Sequence, residues 1–278
     1  MEDLFFKDKD VIKVVNKVEN YITKDLNNSQ DLQRLKKNHL FLAVYDIAHT
    51  FYLNYVDIIN CVTISSARTL SRKLYELLLY LKYILESNKE SNKRAERYFL
   101  YNEYEKTRSL VANSKDGGLS KQDIKYLKNN LANLEKSFID SFKNSKNRVN
   151  KIQDITKWYM EKLTSNKKIG NIKLLSEYLK MDYYYEHIYR SFSTDVHSIG
   201  HDLNNTLSIL GKNLDISKNK KEKFQKEKPL GSEIELSSFT NYIVSKFIEQ
   251  CANFTNDRQL WSSYKQQFVE YYKNKWNS

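Results

Sequence analysis

The sequence has very few residues that interrupt helices. It contains one proline, Pro229, and six glycines in 278 residues. Folds built from β-strands need a turn every eight to twelve residues or so, usually made from Gly, Pro, Asn or Asp. Asn is plentiful here, but long stretches lack any cluster of such residues. The shortage of breakers argues against an all-β fold and favours an all-α, multi-helix bundle.

Cysteine is also scarce, since Cys61 and Cys251 are the only two. They lie far apart in apolar segments without CxxC spacing, so we expect reduced core residues in a reducing compartment. The first ten residues, MEDLFFKDKD, are acidic and lack the long apolar region of a signal peptide. The most apolar stretches, 41–62 and 70–85, are interrupted by charged residues. We therefore expect a cytoplasmic protein that does not enter a membrane.

Arginine is scarce in spite of a net charge of +12, because only nine of the 46 basic residues are Arg. The rest are Lys, and Asn, Ile and Tyr are also abundant. AT-rich genomes encode proteins with this composition whatever their function. The charge therefore favours an anionic partner such as RNA only modestly. The phosphate-binding loops GxGxxG and GxxxxGK[ST] are absent, which argues against nucleotide-dependent motors and dinucleotide enzymes.

Apolar residues recur at helical spacing along nearly the whole chain. We expect a single domain over 1–278, with 1–28 as an N-terminal extension helix. Residues 212–235 hold seven Lys together with Pro229 and Gly231, so they predict a projecting basic loop or small hairpin, and any strand is expected there. The helices are predicted over 3–26, 31–61, 63–87, 90–112, 120–147, 151–164, 171–209, 237–255 and 257–276.

Groups suited to acid–base chemistry concentrate around Arg190 and His197. These two residues are seven apart, so on one helix they would share a face at a separation of about 10 Å. Ser193 lies between them, and Glu186 and His201 extend the same stripe. Arg can hold a phosphate while His moves a proton, which suits cleavage of a phosphodiester. The alternative is a buried polar network in which Arg190 pairs with Glu186 and His197 bonds to a neighbouring Tyr or carboxylate.

A second set of charges lies on the most apolar predicted helix, 63–87. Arg68, Arg72 and Glu76 are spaced by four residues and therefore share one face. Buried charges need partners. These three either form an ion-pair ladder along their own helix or reach across to the segment around Arg190.

The following predicted helix contains Arg94, Glu96 and Arg97. We expect these three to be solvated, with the neighbouring Tyr98 turned inward.

A metal site is a weaker alternative. His197 and His201, four residues apart, could share a metal with Glu186 or Asp182. Neither HExxH nor a nearby Cys accompanies them, so no metal and no other cofactor is expected.

An ordered set of residues runs along the chain: Arg68…Glu76, Arg94-Ala95-Glu96-Arg97-Tyr98, Trp158 and Tyr185…Tyr189-Arg190…Ser193…His197. This set is similar to an uncharacterised bacterial all-helical family, known only as a domain of unknown function and often found near mobile elements and phage-defence genes. The similarity spans roughly residues 30–255. More loosely, Arg190-x6-His197 in an all-α bundle resembles the HEPN superfamily, whose ribonucleases use an Arg-x(4–6)-His motif.

The HEPN resemblance implies metal-independent RNA cleavage where two copies of the motif meet across a homodimer. Arg190 and His197 would be catalytic, with Ser193 and Tyr189 orienting them. The sequence departs from the HEPN pattern at Ser191, where these nucleases favour Asn, Asp or His. The surrounding residues would be Arg68, Arg72, Glu76, Glu186 and His201, and RNA would be steered by Lys218, Lys220, Lys221 and Lys223.

We therefore expect an HEPN-like endoribonuclease that acts as a toxin or effector in antiviral defence, with RNA as substrate and an antitoxin or other protein as partner. The alternative is a non-catalytic helical module that binds a partner protein or nucleic acid.

Overall fold

The computed structural model describes residues 5–27, 38–61, 63–114, 118–143, 151–155, 157–162, 168–192, 231–257 and 259–266. Most of these residues are helical, which confirms the all-α prediction. The helices are α1 (Asp8–Asn27), α2 (His39–Ile59), α3 (Ile64–Leu85), α4 (Ser91–Asn113), α5 (Lys121–Lys143), α6 (Ile172–Tyr178), α7 (182–192), α8 (Gly231–Phe254) and α9 (259–266). None of them is long and apolar enough to cross a membrane.

Helix α3 lies at the centre of the bundle. It contacts α2, α4, α6 and α8, and its residues Leu74, Leu78, Leu81 and Ile84 have no exposed surface. A helix with partners on several sides must be apolar around most of its circumference. That requirement explains why even consecutive residues of α3, Leu77, Leu78 and Leu79, are buried.

Helix α1 belongs to the same core. Val11, Val14 and Val18 are fully buried, and the helix contacts both α2 and α8. Helices α2 and α8 also contact each other, since Phe51 of α2 stacks on Phe247 of α8 with ring centroids 3.8 Å apart. Apolar residues at helical spacing thus face one shared interior.

The strands do not lie where the sequence predicted them. Among the described residues they are β1 (Glu161–Lys162) and β2 (Lys168–Ile169), an antiparallel pair with Glu161 opposite Ile169. The predicted helix 151–164 is therefore wrong, and its first part is a 3₁₀ turn, Ile152–Asp154. The physical reason lies in residues 158–160, which are all buried. Three consecutive residues cannot all face the core from a helix that packs on one side of a bundle.

The predicted helix 171–209 is interrupted between α6 and α7. Lys180 adopts the left-handed conformation with φ of 58°. The amide of Met181 donates to the Ser176 carbonyl at 2.8 Å, and that of Lys180 donates to the Glu177 carbonyl at 3.1 Å, which is a Schellman motif. Leu179 and Met181 are both buried, and residues two apart on a continuous helix would point in nearly opposite directions.

The last part of the predicted basic loop 212–235 is wrong, because residues 231–235 belong to α8, which begins at Gly231. Residues 212–230 and 193–209 lie outside the described part of the chain.

Candidate functional site

The charged face of α3 packs against the aromatic face of α7. The Arg72 guanidinium lies over the Tyr189 ring at 4.6 Å, and that of Arg68 lies over the Phe192 ring at 5.1 Å. Helix α3 begins sharply because Thr63 caps it, accepting a hydrogen bond from the Ser66 amide at 3.2 Å. Arg68 and Arg72 thus contact aromatic rings that lie more than a hundred residues later in the sequence.

Two side chains of α3 hold the junction between α6 and α7 in place. The Tyr75 hydroxyl donates to the Met181 carbonyl at 2.9 Å, and the Lys82 ammonium donates to the Leu179 carbonyl at 2.9 Å. These bonds satisfy carbonyl groups that the end of a helix leaves without partners. They also set the position from which α7 starts.

A hydrogen bond from Tyr189 to Glu76 is the centre of the contact. The buried Tyr189 hydroxyl donates to Glu76 Oε1 at 2.5 Å. Burial, together with the charge of Glu76, raises the pKa of Tyr189 well above its usual range. The hydroxyl is therefore a fixed, neutral donor throughout the physiological pH range. Arg72 Nε lies 3.8 Å from the same carboxylate oxygen, which gives an ion pair without a direct hydrogen bond.

Two further phenols lie within the electrostatic reach of Glu76. Burial raises the pKa of Tyr80 and of Tyr159, and the Glu76 charge adds to both increases. The Tyr159 hydroxyl is fully buried and has no hydrogen-bond partner among the described residues. Glu76, whose side chain is partly exposed, thus pairs with Arg72 and lies close enough to Tyr80 and Tyr159 for its charge to act on both phenols.

A π turn separates the inward and outward side chains of α7. Residues Tyr185–Tyr189 form this turn, and the Arg190 amide donates to the Tyr185 carbonyl five residues earlier. Such turns occur frequently at functional sites. Tyr189 points inward to Glu76, whereas the Arg190 side chain is 73% exposed.

Glu186 is shared by two cations on the outer face. Its Oε1 lies 2.6 Å from Lys173 Nζ, and its Oε2 lies 3.4 Å from Arg190 Nη1. The hydrogen bond from Lys173 is the main cause that lowers the pKa of the Glu186 carboxyl. Lys173 is therefore the closer partner, and Arg190 is the more weakly held one.

The structure brings together some of the predicted site residues. Arg68, Arg72 and Glu76 do reach across to the segment around Arg190, but they meet Tyr189 and Phe192 there. Arg190 pairs with Glu186 at the surface. The alternative interpretation predicted this ion pair, but it placed the pair in a buried polar network. The other predicted residues, Ser193, His197, His201, Lys218, Lys220, Lys221 and Lys223, lie outside the described part of the chain. The pairing of Arg190 with His197 therefore stays a prediction.

A metal centre finds no support in the described ranges. No group of three or more His, Cys, Asp or Glu is arranged there to hold an ion.

The expectation of a solvated face at Arg94 and Arg97 is wrong, because both are buried. Arg94 Nη1 donates to Glu86 Oε2 at 2.7 Å and to the Tyr83 carbonyl at 2.6 Å, and Nη2 donates to Glu161 Oε2 at 3.1 Å. The inward orientation of Tyr98 is confirmed. Because Glu161 lies on β1, no helical spacing could have indicated that Arg94 would be buried.

One compositional signal could have pointed to these positions. Arg68, Arg72, Arg94 and Arg97 each lie over an aromatic ring at 4.0 to 5.1 Å. Arginine is rare here, and its planar guanidinium suits stacking and forked hydrogen bonds better than an ammonium does. In a chain whose basic residues are mostly Lys, an Arg is therefore a candidate for contact with an aromatic ring.

Replacing Glu76 by Ala is expected to lower the free energy of unfolding by about 2 kcal/mol, because the buried Tyr189 hydroxyl loses its acceptor. Glu76→Gln keeps an acceptor oxygen and should cost less than about 1 kcal/mol. Urea denaturation of both variants measures the difference. Equal losses would show that Tyr189 does not depend on this oxygen.

Comparison with known proteins agrees with the expected kind of family. No curated protein and no solved structure matches the chain. A family of unknown function, DUF5677, matches residues 63–216, a range that begins just before α3 and includes Glu76, Tyr189 and Arg190. Because the match covers more than half of the sequence, the chain belongs to this family of unknown function.

Proposed function

We propose that this protein is an HEPN-like, metal-independent endoribonuclease in which Arg190 holds the scissile phosphate and His197 transfers the proton. The observation that carries the proposal is the exposure of the Arg190 guanidinium directly after an anchored π turn. Tyr189 fixes the backbone through Glu76, so the next residue presents a permanent cation to solvent from a rigid support. A positioned guanidinium is suited to a phosphate with two free oxygens.

The ion pair with Glu186 is compatible with this role. A phosphate must displace the carboxylate from Arg190, and that exchange would be costly if it left Glu186 without a partner. Lys173 binds the other oxygen of Glu186 at the shorter distance of 2.6 Å. Arg190 can therefore leave Glu186, which stays paired.

The reaction follows from the two groups. The RNA 2′-hydroxyl attacks the adjacent phosphorus and gives its proton to His197 of one protomer, while Arg190 stabilises the charge that develops on the phosphoryl oxygens. The bond from phosphorus to the 5′-oxygen breaks, and a protonated His197 of the second protomer donates a proton to that oxygen. The products are a 2′,3′-cyclic phosphate and a 5′-hydroxyl.

The biological role that we propose is that of a toxin or effector in antiviral defence. It rests on the HEPN resemblance and on the association of similar proteins with phage-defence genes. The net charge of +12 supports RNA as the partner, and Lys218, Lys220, Lys221 and Lys223 would steer it.

Incubation of the purified protein with total RNA and with tRNA tests the proposal. We expect cleavage that persists in a chelator, leaves 2′,3′-cyclic phosphate ends and weakens as salt is raised, because phosphate contacts release counterions. Cleavage that is lost in chelator would point to a metal centre at His197 and His201. RNA binding without cleavage would support the non-catalytic module.

A further inference from the structure

Two exposed rings lie side by side at the start of α7. The Tyr183 side chain is 65% exposed, and His187 is exposed as well. Their ring centroids are 4.5 Å apart, with the ring planes inclined by 46°. Both rings are therefore accessible to a ligand from solvent. Neither ring contributes to the Glu76 contact described above.

The Tyr183 ring is held by a chain of aromatic contacts that reaches the core. Its centroid lies 5.3 Å from that of Tyr184, in an edge-to-face arrangement. The Tyr184 ring in turn stacks on Tyr242 of α8, with centroids 3.8 Å apart. A ring that is already ordered loses little conformational entropy when a ligand stacks on it. The exposed Tyr183 ring is therefore preorganised for stacking with a planar ligand.

An exposed cation lies further along α7. Between residues 183 and 190 the exposed side chains are Tyr183, His187 and Arg190, whereas Tyr184 and Tyr189 turn toward the bundle. Tyr183 and Arg190 are seven residues apart, or about 10 Å along the axis. A stacked strand advances by about 3.4 Å per nucleotide, so the exposed part of α7 spans a few nucleotides.

Charge differs between the two ends of this stretch. Arg190 lies at one end, and Lys173 of α6 is near it because both cations pair with Glu186, whereas the exposed Asp182 precedes Tyr183 at the other end. A carboxylate repels a phosphate but leaves a neutral base unaffected. We therefore expect a bound strand to place a base at Tyr183 and a phosphate at Arg190.

We propose that Tyr183 and His187 form a stacking platform for an unpaired nucleobase, and that the RNA bound here is single-stranded. This inference rests on RNA being the substrate in the proposed function, but it does not require cleavage. Stacking on an aromatic ring accepts any base and needs a free face, which a base inside a duplex does not offer. The platform thus predicts a preference for loops or unpaired strands with little discrimination among bases.

Fluorescence anisotropy with a labelled oligoribonucleotide tests the platform. The probe carries 2′-O-methyl groups, so it cannot be cleaved, and it is compared with the same strand in a duplex. We expect Tyr183→Ala to weaken single-strand binding on the order of tenfold, whereas Tyr183→Trp should preserve it. Tyr126→Ala is the matched control, because Tyr126 on α5 is also an exposed tyrosine, at 71%. It should bind like the wild type.

The outcomes separate this inference from the proposed function. Wild-type affinity in Tyr183→Ala would overturn the platform, while cleavage by the same preparation would leave the ribonuclease assignment standing. An equal loss of affinity for single strand and duplex would also overturn it, because stacking on a free base would then not be the cause. A wild-type protein that binds neither RNA would overturn both proposals.

Discussion

Replacing Arg94 by Ala is expected to lower the free energy of unfolding by about 3 kcal/mol and to reduce Tm by several degrees. The guanidinium is almost fully buried and joins three parts of the chain, through Glu86, Glu161 and the Tyr83 carbonyl. Its removal takes a charged donor from all three acceptors, while Glu161 still accepts from the Tyr83 hydroxyl and Glu86 from the Tyr178 hydroxyl. The two carboxylates are partly exposed, so water compensates them in part, and the expected loss lies at the lower end of the range for a broken buried pair.

Two companion variants show whether the geometry or the charge is responsible. Arg94→Lys keeps the charge but cannot reach all three acceptors from one ammonium, so we expect an intermediate loss. Arg108→Ala removes an exposed Arg of the same helix that pairs only at the surface, with Glu105, and should cost less than about 0.5 kcal/mol. A loss in Arg94→Ala no larger than that of Arg108→Ala would contradict the role of Arg94.

Loss of His197 or Arg190 is expected to have the largest effect on activity. His197→Ala should slow RNA cleavage by roughly 10²- to 10⁴-fold, the usual contribution of general acid–base catalysis. Arg190→Ala should slow it by roughly 10²-fold or more through lost stabilisation of charge. Wild-type cleavage should vary across the range where imidazole titrates, around pH 6.5. Initial rates on a labelled RNA measure all three effects, and circular dichroism checks that the helices remain.

Glu186→Gln distinguishes a phosphate-binding Arg190 from one that merely pairs with its neighbour. If the ion pair with Glu186 were the whole role of Arg190, breaking it from either side would have the same effect. If Arg190 binds phosphate, Glu186→Gln keeps cleavage and tightens RNA binding, because a competing carboxylate is gone.

Expression of the wild type should be toxic to cells, and that of His197→Ala and Arg190→Ala should not. Toxicity that persists in both variants would favour the partner-binding module.

Much of the fold follows from the sequence because helix formation depends on local pattern and on few breakers. The capped starts of α3 and α5 are local in this way, since Ser120 accepts from the Asp123 amide at 3.1 Å in the latter. The β-hairpin and the break at Lys180 are different. Both arise because consecutive or alternate residues are all buried against other helices, and local periodicity carries no information about those partners.

Local spacing likewise predicted one part of the candidate site but not the other. The shared face of Arg68, Arg72 and Glu76 could be read from spacing alone. The identity of their partners could not, because a π turn changes which residues of α7 point inward, and Tyr189 is the one that reaches Glu76. The hydrogen bonds of Arg94 could not be predicted either, because Glu161 lies on a strand 67 residues further along the sequence.

The π turn also bears on how related chains should be compared. In this turn the amide of residue 190 donates to the carbonyl of residue 185, whereas in an α-helix it would donate to that of residue 186. The turn therefore contains one residue more than a turn of α-helix. Each residue after it is rotated by about 100° relative to an uninterrupted helix. A relative with a single deletion just before the counterpart of Tyr189 would regain ordinary helix, and that counterpart would keep its orientation toward Glu76. An alignment that places the gap elsewhere would then pair inward residues with outward ones, although both chains had kept the same contact.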